Sequence, residues 1–130
     1  MKDRESKQLT KAEMEIMTIL WDRGKPMTTH EIIDVYPEPR PAYSTIATFL
    51  KILTVKGFVS SQKAEGSGKT FLFMPLISRE AYTQRVMTDV KTTFFGGSLK
   101  SMLSFFVEQD NVSDEELQEI VSMIRSKNWK

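Results

Sequence analysis

The chain has 130 residues, with 18 Lys+Arg against 17 Asp+Glu for a net charge of +1, a single histidine and no cysteine. That length holds one domain or a small domain with an appendage and leaves no room for a large catalytic cleft. The lack of cysteine excludes a disulfide framework, a thiolate nucleophile and cysteine-based zinc or copper sites, and the near-neutral total means that a polyanionic partner has to be sought in how the charge is distributed.

In chain order, Met1 to Gln8 is charged and lacks the apolar run of a signal peptide. No stretch approaches the roughly 20 apolar residues of a membrane span, so a soluble cytoplasmic protein with no membrane partner is expected. Thr10-Lys11-Ala12-Glu13 is a capping-box pattern that opens a helix whose wide apolar face is carried by Ile16, Ile19 and Leu20 with Met14, Met17 and Trp21. Gly24 and Pro26 end it. Thr28-Thr29-His30-Glu31 repeats the signature for a short second helix, which Pro37-Glu38-Pro39-Arg40-Pro41 must stop; the prolines predict a stiff, extended connector.

The third helix, Ala42 to Lys56, has two faces. Ile46, Phe49, Leu50 and Leu53 form an apolar stripe for a core, while Ser44, Ala47, Thr48 and Lys51 recur at the same spacing on the opposite side. That second face has small residues, hydroxyls and one cation but no carboxylate. It suits close approach to a polyanion, since bulk and negative charge both hold a groove wall away. From Arg40 to Lys69 there are five cations (Arg40, Lys51, Lys56, Lys63, Lys69) against Glu65 alone, a local net of +4.

Two strand-like runs, Phe58 to Glu65 and Lys69 to Met74, flank Gly66-Ser67-Gly68 and predict a β-hairpin closed by Pro75, with Met27 positioned as a minimal third strand. This order predicts a winged helix-turn-helix over residues 1–77. Gly66-Ser67-Gly68-Lys69 lacks the spacing and context of a nucleotide-binding loop; as a wing tip, its flanking Lys63 and Lys69 can follow a DNA backbone. Otherwise it is a plain solvated hairpin.

After Pro75 the composition changes, and a helical dimerisation domain over residues 78–130 is expected. Tyr82, Val86, Val90 and Phe94 keep a four-residue rhythm up to Gly96-Gly97. Leu99, Met102, Leu103 and Phe106 mark a second helix, and Ser113 caps a third carrying Leu117, Ile120, Val121 and Ile124. Three amphipathic helices on so short a segment cannot bury their faces alone, so a second copy is expected to cover them. The fold class is therefore mainly α with a small β-hairpin.

His30 has no second ligand near it in sequence, which argues against a metal site, and no triad or other catalytic motif is present; neither an enzyme nor a cofactor is expected. The methionines and paired phenylalanines read as packing, with an effector pocket among the C-terminal helices as the competing reading. Two alternatives to a DNA-binding repressor follow: a winged-helix module that meets a protein partner, and a ligand-gated regulator.

The chain resembles the penicillinase repressor family in Leu9 to Met17, Leu20-Trp21, Glu31-Ile32, Ser44-Thr45-Ile46, Leu50 to Leu53, Lys56-Gly57 and Phe95-Gly96-Gly97. The resemblance implies a homodimeric winged-helix repressor bound to a two-fold symmetric operator in duplex DNA. It implies that Tyr43, Ser44, Thr45, Ala47, Thr48 and Lys51 enter the major groove and that Arg40, Lys63 and Lys69 address phosphates. Relatives that respond to β-lactams are released by a sensor protease cutting an Asn-Phe bond; the aligned pair here is Phe105-Phe106. Ile52 stands where the family commonly has arginine, and the cysteine motif of copper-responsive relatives is absent.

Overall fold

The computed structural model describes residues 8–66 and 68–126. Thr10 caps helix α1 (Lys11–Arg23): its hydroxyl accepts the Glu13 N–H at 3.2 Å, and the Glu13 carboxylate accepts the Thr10 N–H at 2.9 Å. Thr28 and Glu31 make the same reciprocal pair, at 3.2 and 2.9 Å, at the start of α2 (Thr29–Val35). Each box satisfies two backbone donors that the first turn of a helix would otherwise leave open. Helix α3 (Tyr43–Lys56) ends at Gly57, whose φ of 88° is a left-handed geometry that a side chain disfavours.

Strands β1 (Val59–Lys63) and β2 (Phe71–Pro75) pair antiparallel, with Val59 opposite Pro75 and Lys63 opposite Phe71. Met27 adds the expected third strand as a single bridge, exchanging backbone hydrogen bonds with Phe73 at 3.1 and 2.8 Å. Side chains from the three helices, Met27 and β1 close one core: Ile16, Met17 and Leu20 from α1, Met27, Ile32 from α2, Leu50 and Leu53 from α3, and Val59 from β1 are at most 1% exposed. At roughly 1.5 to 3 kcal/mol for each large aliphatic side chain buried, this cluster is the main stabilising feature of the N-terminal region.

The connector between α2 and α3 differs from the extended segment that its prolines predict. It bends at Glu38 and Pro39, the Glu38-Pro39 bond is cis, and the Arg40 guanidinium turns back to donate to the carbonyls of Tyr36 at 3.4 Å and Asp34 at 3.5 Å. Arg40 thus serves the open carbonyls at the end of α2, a role that cations commonly take at helix C-termini.

The remaining helices are α4 (Arg79–Phe95), α5 (Leu99–Gln109) and α6 (Asp114–Ser126). The chain divides into two compact units at Val86/Met87, inside α4 and later than the expected division after Ile77. The physical reason is the first turns of α4. Tyr82 is 4% exposed, its hydroxyl accepts the Leu9 N–H at 2.8 Å, and its ring lies 6.1 Å from that of Trp21 and 5.9 Å from that of Phe58. Trp21 donates to the Ile77 carbonyl at 2.9 Å, and Arg79 sits over the Trp21 ring while pairing with Asp22. The change of composition after Pro75 marks the end of a strand, not the end of the first packed unit.

Candidate nucleic-acid interface

Helix α3 presents the outward face that its sequence predicts. Ile46, Leu50 and Leu53 point into the core, whereas Tyr43, Ser44, Thr45, Thr48 and Lys51 are exposed and Ala47 is half-buried. At 100° per residue, Ser44, Thr48 and Lys51 lie within about 60° of one another, directly opposite the core. The first turn of α3 carries no acidic residue, and Ala42, at its N-cap, supplies no side-chain acceptor. The helix therefore opens with unsatisfied N–H donors, the end at which negative charge is stabilised. Tyr43 is half-exposed and its ring rests 4.8 Å from the imidazole of His30, so this lone histidine packs on the first residue of α3.

The charge on this surface is more selective than the count along the chain. Lys56 is half-buried and turned inward: its ammonium meets both oxygens of buried Glu13, at 2.9 and 3.1 Å, across 43 positions of sequence. Burial alone raises the Glu13 pKa, but the Thr10 N–H and the Lys56 ammonium outweigh it and hold the carboxyl below its ordinary value of 4.5. Arg40 lies 3.9 Å from Asp34 and 3.7 Å from Glu38, so its charge is partly offset in the free protein. Lys51, Lys63 and Lys69 are all exposed, and no ion pair among the described residues engages them. Lys63 sits at the end of β1 and Lys69 in the hairpin turn, which places both on the wing. Ser67, expected at the wing tip, lies outside the described residues.

One residue that belongs to the outward face of α3 is absent from the sequence-derived set. Val55 follows Lys51 by four positions, Thr48 by seven and Ser44 by eleven, and it is 80% exposed. The helical spacing alone identifies it; a search for polar and charged groups passes over a valine.

In the second unit the expected apolar positions divide differently. Met102 is buried, while Phe94, Leu99, Leu103, Phe106, Val121 and Ile124 are between 40 and 75% exposed. Val90, Leu117 and Ile120 are half-buried. Tyr82 and Val86, expected among the dimer-forming residues, pack instead with the core of the first unit, and Tyr82 has no surface left to offer a partner. Phe105 and Phe106 lie inside α5 with their rings 5.5 Å apart, and the Phe106 carbonyl accepts the Asp110 N–H at 3.0 Å. The Phe105-Phe106 bond is therefore part of a hydrogen-bonded helix.

Three helices on one core, a two-stranded wing, and a third helix with a carboxylate-free outer face define a winged-helix DNA-binding regulator. The profile of the penicillinase repressor family matches residues 9–126, and the chain belongs to that family. It is a DNA-binding transcriptional repressor and not an enzyme. A penicillinase repressor of Bacillus licheniformis is 29% identical over 124 residues, covering 95% of this chain and 94% of the relative. The methicillin resistance regulatory protein MecI of Staphylococcus aureus strain N315 is 22% identical over 125 residues, covering 96% and 99%. The fold is also similar to that of BpsR from Bordetella bronchiseptica, a protein whose DNA binding is regulated by 6-hydroxynicotinic acid. That similarity has a TM-score of 0.50 at 14% identity and covers 92% of this chain and 79% of BpsR.

Proposed function

We propose that the protein represses transcription as a homodimer on a two-fold symmetric operator, with α3 of each copy in the major groove and the wing along the phosphate backbone. The observation that carries this reading is the outer face of α3, where Ser44, Thr48 and Lys51 stand together without a carboxylate, next to a wing whose Lys63 and Lys69 are unpaired by acids among the described residues. Lys51 reads base edges, and Lys69 neutralises phosphate. No described helix is long and apolar enough to cross a membrane, which accords with a cytoplasmic location at the chromosome.

The second unit supports the dimer. A groove of about 560 Å³ between α5 and α6 is lined by aliphatic side chains including Leu103, Val107, Ile120 and Val121. A small-molecule site usually adds a few convergent polar groups to an apolar lining, and here Lys100, Ser104 and Glu108 are the polar residues that line the groove. Against that reading, the exposed apolar rows of α5 and α6 (Leu99, Leu103, Val121 and Ile124) favour the matching helices of a second copy as the occupant. A sensor protease acting at Phe105-Phe106 would first have to unwind part of α5.

The test is a gel-shift titration of the full chain against its own upstream region and a scrambled competitor, at two salt concentrations. Affinity should fall steeply as salt rises, because each neutralised phosphate releases counterions. Lys51→Ala should weaken binding to the specific duplex by about tenfold and leave the scrambled one nearly unchanged. Lys69→Ala should weaken both equally. Absence of a salt-sensitive complex would leave α3 as a protein-docking helix and overturn the proposal.

A further inference from the structure

The face of α3 contains one side chain that polar recognition does not explain. Val55 is 80% exposed, more than any other large hydrophobic residue among those described. It contributes nothing to the core, and its branched Cβ lowers helix propensity, so folding supplies no reason for a valine there. Its position is not peripheral. With Ser44, Thr48 and Lys51 it completes one outward ridge, about 16 Å long from end to end, and at 100° per residue it falls between Ser44 and Thr48 in direction. Ile52, 37% exposed, flanks the ridge on the Thr48 side.

We infer that Val55 is a base-reading residue whose methyl groups seat against the 5-methyl group of a thymine in the major groove. This rests on the reading of α3 as the groove-entering helix. The thymine methyl is the apolar feature that a base edge offers in the major groove, and it is matched by an apolar side chain. Duplex DNA is the occupant that the surroundings favour. The ridge that carries Val55 also carries Lys51 and two hydroxyl side chains, and no acid lies on it. A ridge of that length can lie along the groove and span about five base-pair steps, so polar readers at one end and an apolar reader at the other address different pairs. The operator half-site then has a T·A pair fixed by Val55, at a distance along the duplex from the pairs read by Ser44 and Thr48.

The experiment uses the full chain and a library of random duplexes. The most tightly bound duplex is resynthesised with each thymine replaced singly by deoxyuridine, which removes the 5-methyl group and leaves the hydrogen-bonding edge intact. One thymine per half-site should weaken the wild type about fivefold when replaced, the effect of losing one buried methyl contact. Val55→Ala should bind the thymine and deoxyuridine forms of that duplex equally while keeping the wild-type response at every other position. Thr48→Ser, which removes one methyl from the ridge where Val55→Ala removes two, should keep the wild-type response at that thymine. Val55→Ala raises helix propensity at an exposed position, so its fold is expected to survive, and its melting curve checks this.

The inference is overturned if no deoxyuridine replacement affects the wild type, if the methyl effect persists in Val55→Ala, or if it disappears in Thr48→Ser instead. Failure of the library to enrich any sequence would overturn α3 as a base reader and this inference with it. Enrichment with a flat response to methyl removal would overturn the role of Val55 alone.

Discussion

The two units of this chain solve the same problem in opposite ways. In the first, eleven buried side chains from four helices, β1, the bridge residue Met27 and Phe58 just before β1 form one cluster, and residues as distant as Leu9 and Tyr82 are hydrogen-bonded together. In the second, α6 has no buried residue and α5 has only Met102, although both helices carry long apolar rows. The first unit can hold its fold with the contacts of one chain. The second exposes surface that water disfavours, and a large contiguous patch of that kind marks an interface. The proposed reader of DNA needs a rigid helix, whereas the proposed dimer domain needs an unfinished face.

The contrast can be tested from its strongest consequence downward. Lys56→Met strands the Glu13 carboxylate, which is 4% exposed, inside the first unit. We expect a loss of about 3 kcal/mol in urea unfolding, independent of protein concentration, as for other broken buried pairs. Because the Glu13 pKa is depressed in the fold, its stabilising effect is full above the ordinary value of 4.5 and is lost as pH falls through the lower folded value. The gap between wild type and Lys56→Met should therefore narrow below pH 4.5. A gap that widened on acidification would contradict the ion pair.

Val121→Asp makes the complementary test in the second unit. Val121 is 45% exposed in one chain, so the charge costs little there but is desolvated in a dimer. Sedimentation should show the dimer constant weakened by at least about thirtyfold, with helix content in the monomer unchanged. Equal association of variant and wild type would place the dimer contact elsewhere.

Tyr82→Phe is the smallest change. It leaves the Leu9 N–H without its acceptor and should cost about 1 kcal/mol of unfolding free energy with no effect on self-association. Weakened dimerisation would restore Tyr82 to the partner surface that its helical rhythm suggests.

Most of the fold was legible along the chain. Both capping boxes, the left-handed stops at Gly24 and Gly57, the hairpin and the Met27 bridge depend on residues a few positions apart or on simple alternation, and each forms as expected. The candidate site was less complete. Its hydroxyl and lysine face followed from helical spacing, but a search for polar groups hid Val55. Counting charge included Lys56 and gave Arg40 its full value, since a count cannot see which cations are neutralised by partners elsewhere.

The sequence by itself determined the elements, their order and the outward face of α3, because caps, turn glycines and apolar periodicity act over three or four residues. Only the tertiary structure decided that Lys56 holds Glu13 in the interior, that Arg40 closes the end of α2, and that Tyr82 belongs to the first unit. The Lys56 and Tyr82 contacts join groups 43 and 73 positions apart that burial of the shared core brings together, whereas Arg40 reaches carbonyls only four and six positions back because the connector bends where its prolines predict an extended run.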